Sequence, residues 1–156
     1  MQTVETAVSD FYLKVGDRVS FSKTIAESDV YQFAGITGDL APVHTNEQYM
    51  QGSFYGQRIA HGVLIMGFMS TASSLIVSKI PVENSEDVPV SLGYDRVRFL
   101  KAALFGDTVT VTYEIEGVDP GRSRTTAAVT AINQHGETLA VARHILKWVR
   151  NDRLAR

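Results

Sequence analysis

Cysteine is missing from this 156-residue chain. Its absence excludes disulfides, thiolate metal sites and cysteine nucleophiles, and it favours a cytoplasmic setting. Charge of one sign is scarce as well: 15 Lys and Arg stand against 17 Asp and Glu, for a formal net charge of -2. The basic residues are scattered, so nothing gathers a polyanion and nucleic acid is not an expected partner. No apolar run suffices to span a bilayer. The longest, residues 63–77, is broken by Gly67, Ser70, Thr71, Ser73 and Ser74 and reads as a buried helix. Residues 1–10 lack the basic start and apolar run of an export signal. Also missing are the Gly-x-Ser-x-Gly elbow and the glycine-rich phosphate loops, which removes support for a serine nucleophile or a nucleotide cofactor.

With hydrophobic residues at 44% and charged residues at 21%, the chain has enough apolar side chain for one core. We expect a single domain over residues 1–156, with 1–12 as an N-terminal extension and 151–156 as a polar tail. Val19 and Phe21 alternate with serines in residues 17–25, a half-buried strand. Ser28 reads as the N-cap of a short helix, with Asp29 in its first turn and Gly38 at its end. Thr45 or Asn46 could cap a second brief helix through Met50, and Gly52 and Gly56 bracket a loop around Phe54 and Tyr55. The long helix opens at His61-Gly62, runs over residues 63–79, and is apolar on most of its faces. Residues 82–87 read as a surface loop. Beyond them lie strands at 88–100, 108–115, 125–132 and 138–149, with turns at Asp119-Pro120-Gly121 and Gln134-His135-Gly136-Glu137. This order predicts an α+β fold in which an antiparallel sheet buries its apolar face on the long helix.

Asp39 and His44 lie five residues apart with Pro42 between them, which places them on a stiffened loop after a helix end. A carboxylate and an imidazole aimed at one point can hold a water, deprotonate it and return a proton to a neighbouring carbon. Taken alone, the pair reads more simply as a turn-capping Asp and a structural His. At Gly62, the first turn of a buried helix offers a free backbone N–H beside the positive end of the helix dipole, where a carbonyl oxygen could dock. Close helix packing would also explain that glycine. Ser70 lies about two turns along and could steady Asp39 or His44. A helical serine more often bonds a carbonyl one turn back. His135 and His144 read as surface residues, and no His/Asp/Glu grouping has convincing metal spacing.

Gly38-Asp39-Leu40-Ala41-Pro42-Val43-His44, followed by Arg58-Ile59-Ala60-His61-Gly62, resembles the MaoC-like, R-specific enoyl-CoA hydratases. Phe33-Ala34-Gly35-Ile36-Thr37 before the first motif, and Phe99 with Phe105-Gly106-Asp107-Thr108-Val109 later, extend the likeness over most of the domain. The resemblance implies a hot-dog fold, a homodimer with a continuous sheet, and an acyl-CoA or acyl-carrier thioester as substrate, with no cofactor or metal. It implies that Asp39 and His44 hold the water, that the Gly62 amide polarises the thioester, and that Ser70 supports the site. Ala41 stands where the family has Asn, beside Pro42, and offers no side-chain hydrogen bond, so the acyl contact there can differ. Ala41, Pro42 and His61 are candidate substrate contacts, and Arg98 and Lys101 are candidate phosphate partners. The implied activity is reversible hydration of a trans-2-enoyl thioester to an R-3-hydroxyacyl thioester. A hot-dog thioesterase and a non-catalytic acyl-thioester-binding module are the alternatives.

Overall fold

The computed structural model describes residues 11–80 and 87–151. The expected loop at 82–86, most of the N-terminal extension and residues 152–156 of the tail lie outside them. Five strands form one antiparallel sheet in the order β1-β3-β4-β5-β2, comprising β1 (Arg18–Thr24), β2 (Asp87–Phe99), β3 (Thr108–Asp119), β4 (Arg124–Ile132) and β5 (Thr138–Arg150). Between β1 and β2 run α1 (Glu27–Thr37), α2 (Pro42–Thr45), α3 (Glu47–Gln51) and the long α4 (Gly62–Val77).

Alternation sets the sheet's inner face. Val109, Val111, Tyr113 and Ile115 of β3 are buried together with Ala127, Val129 and Ala131 of β4, because successive strand side chains point to opposite faces. Against them α4 lays Ile65, Phe68, Met69, Ala72 and Ile76. These recur at helical spacing, and each large side chain contributes roughly 1.5–3 kcal/mol by leaving water. Among the described residues the other side of α4 stays partly exposed: Val63 and Leu75 are 56% and 38% exposed. The expected antiparallel sheet packed on a long central helix is observed, with the single sheet covering one side of that helix. α4 stops at Val77, two residues early, where the Ser78 N–H bonds the Ser74 carbonyl at 3.0 Å.

Ser28 does not cap α1. The cap is Ala26, whose N–H donates to Asp29 Oδ2 at 2.8 Å, while Lys23 Nζ bonds the same oxygen at 2.7 Å. The Asp29 carboxylate thus captures the chain a residue pair before Ser28 could act, and Ser28 lies inside the helix. α1 ends as expected at Gly38, whose φ of 80° requires the left-handed region. Asn46 caps α3, accepting from the Tyr49 N–H at 3.0 Å.

His135 is exposed, as expected, but His144 is 0% exposed. Its position in β5 has inward parity, a pattern that its charged neighbours Arg143 and Lys147 mask in the sequence. Tyr113 OH lies 2.8 Å from His144 Nδ1, Ser91 Oγ lies 2.8 Å from Nε2, and the Tyr94 ring stacks at 4.2 Å. The buried Tyr113 hydroxyl has His144 as its one partner, so it donates to Nδ1. His144 then carries its proton on Nε2 and donates to Ser91. This assignment makes the histidine a bridge across β3, β5 and β2 and leaves it no lone pair to activate the serine. Burial holds the His144 imidazole down to a pKa of about 4 and pushes the Tyr113 hydroxyl well above its ordinary value.

Candidate active site

The helical half of the chain crosses the N-terminal end of α4 and brings three polar side chains together there. Asp39, in the link after α1, leads into α2, which forms one helical turn where a loop was expected. Pro42 supplies a preset φ at the first position of that turn, and the His44 N–H closes it on the Ala41 carbonyl at 2.9 Å. Asp39 Oδ1 accepts the Ala41 N–H at 3.3 Å, so alanine's backbone carries the local order that a side-chain amide cannot supply here. One ligand atom from each of Asp39, His44 and His61 lies within 4.8 Å of the others.

The two histidines have different partners. His44 Nδ1 is 2.7 Å from the Ile59 carbonyl, which can only accept, so Nδ1 carries the proton. The lone pair of the neutral ring is thereby left on Nε2. His61 Nε2 is 3.0 Å from the Asp39 carbonyl and must donate to it, with Asp39 Oδ2 3.8 Å away. Only 2% exposed, His61 stacks on His44 at 3.7 Å and packs against Phe33. Among the described residues its Nδ1 has no partner, a cost of about 1–3 kcal/mol that the surrounding packing must offset. His61 thus fixes the backbone of Asp39 and the plane of His44 from beneath.

The three residues meet a distance criterion for a metal cluster that sequence spacing did not suggest. Imidazole lone pairs lie in the ring plane, however, and the His44 and His61 planes are stacked at 28°. Side-by-side rings aim their nitrogens in parallel, whereas a metal requires them to converge, and His61 Nε2 is already committed to a carbonyl.

His44 lines a cavity of about 250 Å³ together with Gly62, Ile65, Tyr55, Phe99, Lys101 and Leu139, among others. The Gly62 N–H opens α4 and has no hydrogen-bond partner among the described residues, so the cavity contains a donor at the positive end of a helix dipole. A methyl group on Gly62 would sit 3.0 Å from the Phe99 ring. Close approach of that ring is the packing reason for glycine, and it coexists with the electrostatic one.

The remaining candidates divide. Lys101 reaches the cavity and is ion-paired with Glu137, whose carboxyl that lysine holds below its ordinary range. Arg98 does not line the cavity. It follows a bulge in β2 and donates to the carbonyl of its neighbour Val97 at 2.7 Å. Pro42 is exposed. Ser70 lies eight residues along α4 from Gly62, about 12 Å at 1.5 Å per residue. Among the described residues no hydrogen bond joins Ser70 to Asp39 or His44; its carbonyl accepts from Ser73 and Ser74. Tyr55 comes from the loop bracketed by Gly52 and Gly56, whereas sequence reasoning did not place Ile65, Leu139 or the Ile59 carbonyl at the site. A backbone acceptor leaves no mark on residue type, and the apolar walls look like any core position.

A long helix packed on an antiparallel sheet, with an Asp/His pair beside the helix's first amide, defines an enzyme of the hot-dog class. The model of the MaoC-like domain matches residues 11–137. The chain belongs to the MaoC-like dehydratase family. It is 37% identical over 118 residues to an (R)-specific enoyl-CoA hydratase of Rhodospirillum rubrum, covering 76% of each chain. It is 32% identical over 118 residues to a 3-hydroxybutyryl-CoA dehydratase of Methylorubrum extorquens, covering 76% of this chain and 70% of the other. Among solved structures, the unliganded R-hydratase PhaJ1 of Pseudomonas aeruginosa superposes with a TM-score of 0.74 at 28% identity, over 89% of this chain and 84% of that one.

Proposed function

We propose that this protein is a hydro-lyase that reversibly adds water to a trans-2-enoyl-CoA, giving the R-3-hydroxyacyl-CoA. The observation that carries the reading is the pinned tautomer of His44: with Nδ1–H held by Ile59, Nε2 is free to accept a proton beside a cavity that also presents the Gly62 amide. Asp39 and Nε2 of His44 hold one water between them. Nε2 takes its proton as the oxygen bonds to C3, charge moves to the thioester oxygen against the Gly62 N–H, and the same pair returns a proton to C2 on the same face. These steps need no metal or other cofactor. Lys101 at the cavity is the cation for a phosphate of the carrier.

The active unit in this reading is a homodimer. Among the described residues β2 is an edge strand paired only with β5, and Val88, Val90 and Leu92 on it are 38–49% exposed. A second copy would pair the free edge and cover this apolar surface. Among the described residues no helix is long and apolar enough to cross a membrane. A cytoplasmic location belongs to the same reading and rests on the missing cysteines.

An enoyl-CoA panel tests the activity: loss of enone absorbance with an R-configured product is expected, and release of free thiol without hydration would instead make the protein a thioesterase. Binding with no turnover would make it an acyl-thioester module. Gly62→Ala should keep the fold, since alanine suits a helix start, yet force the half-exposed Phe99 ring to shift over the amide. We expect kcat/KM to fall about 10²-fold with an unchanged melting temperature. An unchanged kcat/KM would remove Gly62 from the site.

A further inference from the structure

Arg58 is among the most heavily bonded side chains in the molecule, yet it touches no part of the cavity. Its guanidinium is 15% exposed and bonds Glu27 of α1 at 2.8 Å, Glu47 of α3 at 2.7 Å and Tyr31 OH at 2.6 Å. The same group lies 4.7 Å over the Phe105 ring. Bonding to Glu47 first, and to Glu27, raises its pKa above the ordinary value. The next residue, Ile59, donates its N–H to the Val43 carbonyl at 3.1 Å and offers its own carbonyl to His44 Nδ1 at 2.7 Å. A bridge to Leu104 holds it from the other side.

We propose that Arg58 is a positioning residue that clamps the Ile59 carbonyl between α1, α3 and Phe105 and so keeps the proton of His44 on Nδ1. The inference rests on the reading of His44 Nε2 as the proton acceptor. A free neutral imidazole favours the proton on Nε2, so His44 needs a fixed acceptor at Nδ1 to present the opposite tautomer. Without Arg58, Glu27 and Glu47 face each other as uncompensated like charges, the segment before Ile59 shifts, and the lone pair turns away from the water. Folding itself has other supports: α1 and α3 carry their own caps at Gly38 and Asn46, and the core lies between α4 and the sheet.

The test combines ¹⁵N-resolved imidazole NMR with hydration kinetics, the His44 signals being identified by their loss in His44→Asn. Wild type should show the proton on Nδ1. Arg58→Gln should move it to Nε2 and lower kcat at least about tenfold with KM within about twofold. Arg58→Lys, which can reach only one carboxylate at a time, should give a mixture of tautomers and an intermediate kcat. His144→Phe, destabilised in the sheet, should keep both the tautomer and kcat, separating positioning from general loss of stability. A folded Arg58→Gln with the Nδ1 proton retained overturns the proposal. Should Arg58→Gln fail to fold, an unchanged tautomer in Arg58→Lys overturns it equally. If wild type shows no hydration, the reading of the site fails while the tautomer comparison still decides the role of Arg58.

Discussion

Asp39→Asn and His44→Asn are each expected to lower enoyl-CoA hydration by about 10²–10⁴-fold while the protein stays folded. Both substitutions can preserve the hydrogen bonds that build the site. Asn at 39 still offers an oxygen to the Ala41 N–H, and the Asp39 carbonyl that receives His61 belongs to the backbone. Asn at 44 places an N–H near the position of Nδ1, within reach of the Ile59 carbonyl, and removes Nε2 together with the ring face that stacks on His61. What is lost in each case is the ability to move a proton. If the two groups act on one water as proposed, the double variant should be little slower than the worse single one. Rates are read from enone absorbance and folding from circular dichroism; a folded variant with wild-type turnover would refute the assignment.

The second large effect concerns stability. In the unfolded chain His144 titrates near its ordinary value of 6.5, and in the fold burial lowers it to about 4. Between those two pH values the unfolded state holds a proton that the native state lacks. Stability is therefore complete above pH 6.5 and is lost as pH falls toward 4, by roughly 3 kcal/mol in all and about 2 kcal/mol between pH 7 and pH 5. Urea denaturation at several pH values should show this loss, and His144→Phe should abolish it. At pH 7 that variant should itself be about 1–3 kcal/mol less stable, because the buried Tyr113 hydroxyl loses its one partner. Adding Tyr113→Phe should recover part of the loss, since removing both members of a buried pair leaves nothing unsatisfied. A His144→Phe variant with the wild-type slope would show that other groups cause the acid sensitivity.

Much of the fold was legible because its signals are local. Gly38 ends α1 through a φ that other residues resist, Asn46 caps α3 with its own side chain, and the alternation of Val109, Val111, Tyr113 and Ile115 states which face of β3 is buried. Errors arose where a neighbour in space outvoted one in sequence. Ser28 lost its cap to an Asp29 carboxylate already held by Lys23, and His144 looked like a surface residue until Tyr113 and Ser91 closed on its ring.

By itself the sequence determined that a hot-dog fold without cysteine carries an Asp-to-His pair in one motif and a glycine amide at a helix start in another. Only the tertiary structure decided that these meet, because His61 and Gly62 come from a separate segment whose crossing with the Asp39–His44 turn is set by packing. It alone decided which nitrogen of His44 is free, because the proton's place depends on the Ile59 carbonyl, fifteen residues away in sequence and 2.7 Å away in space.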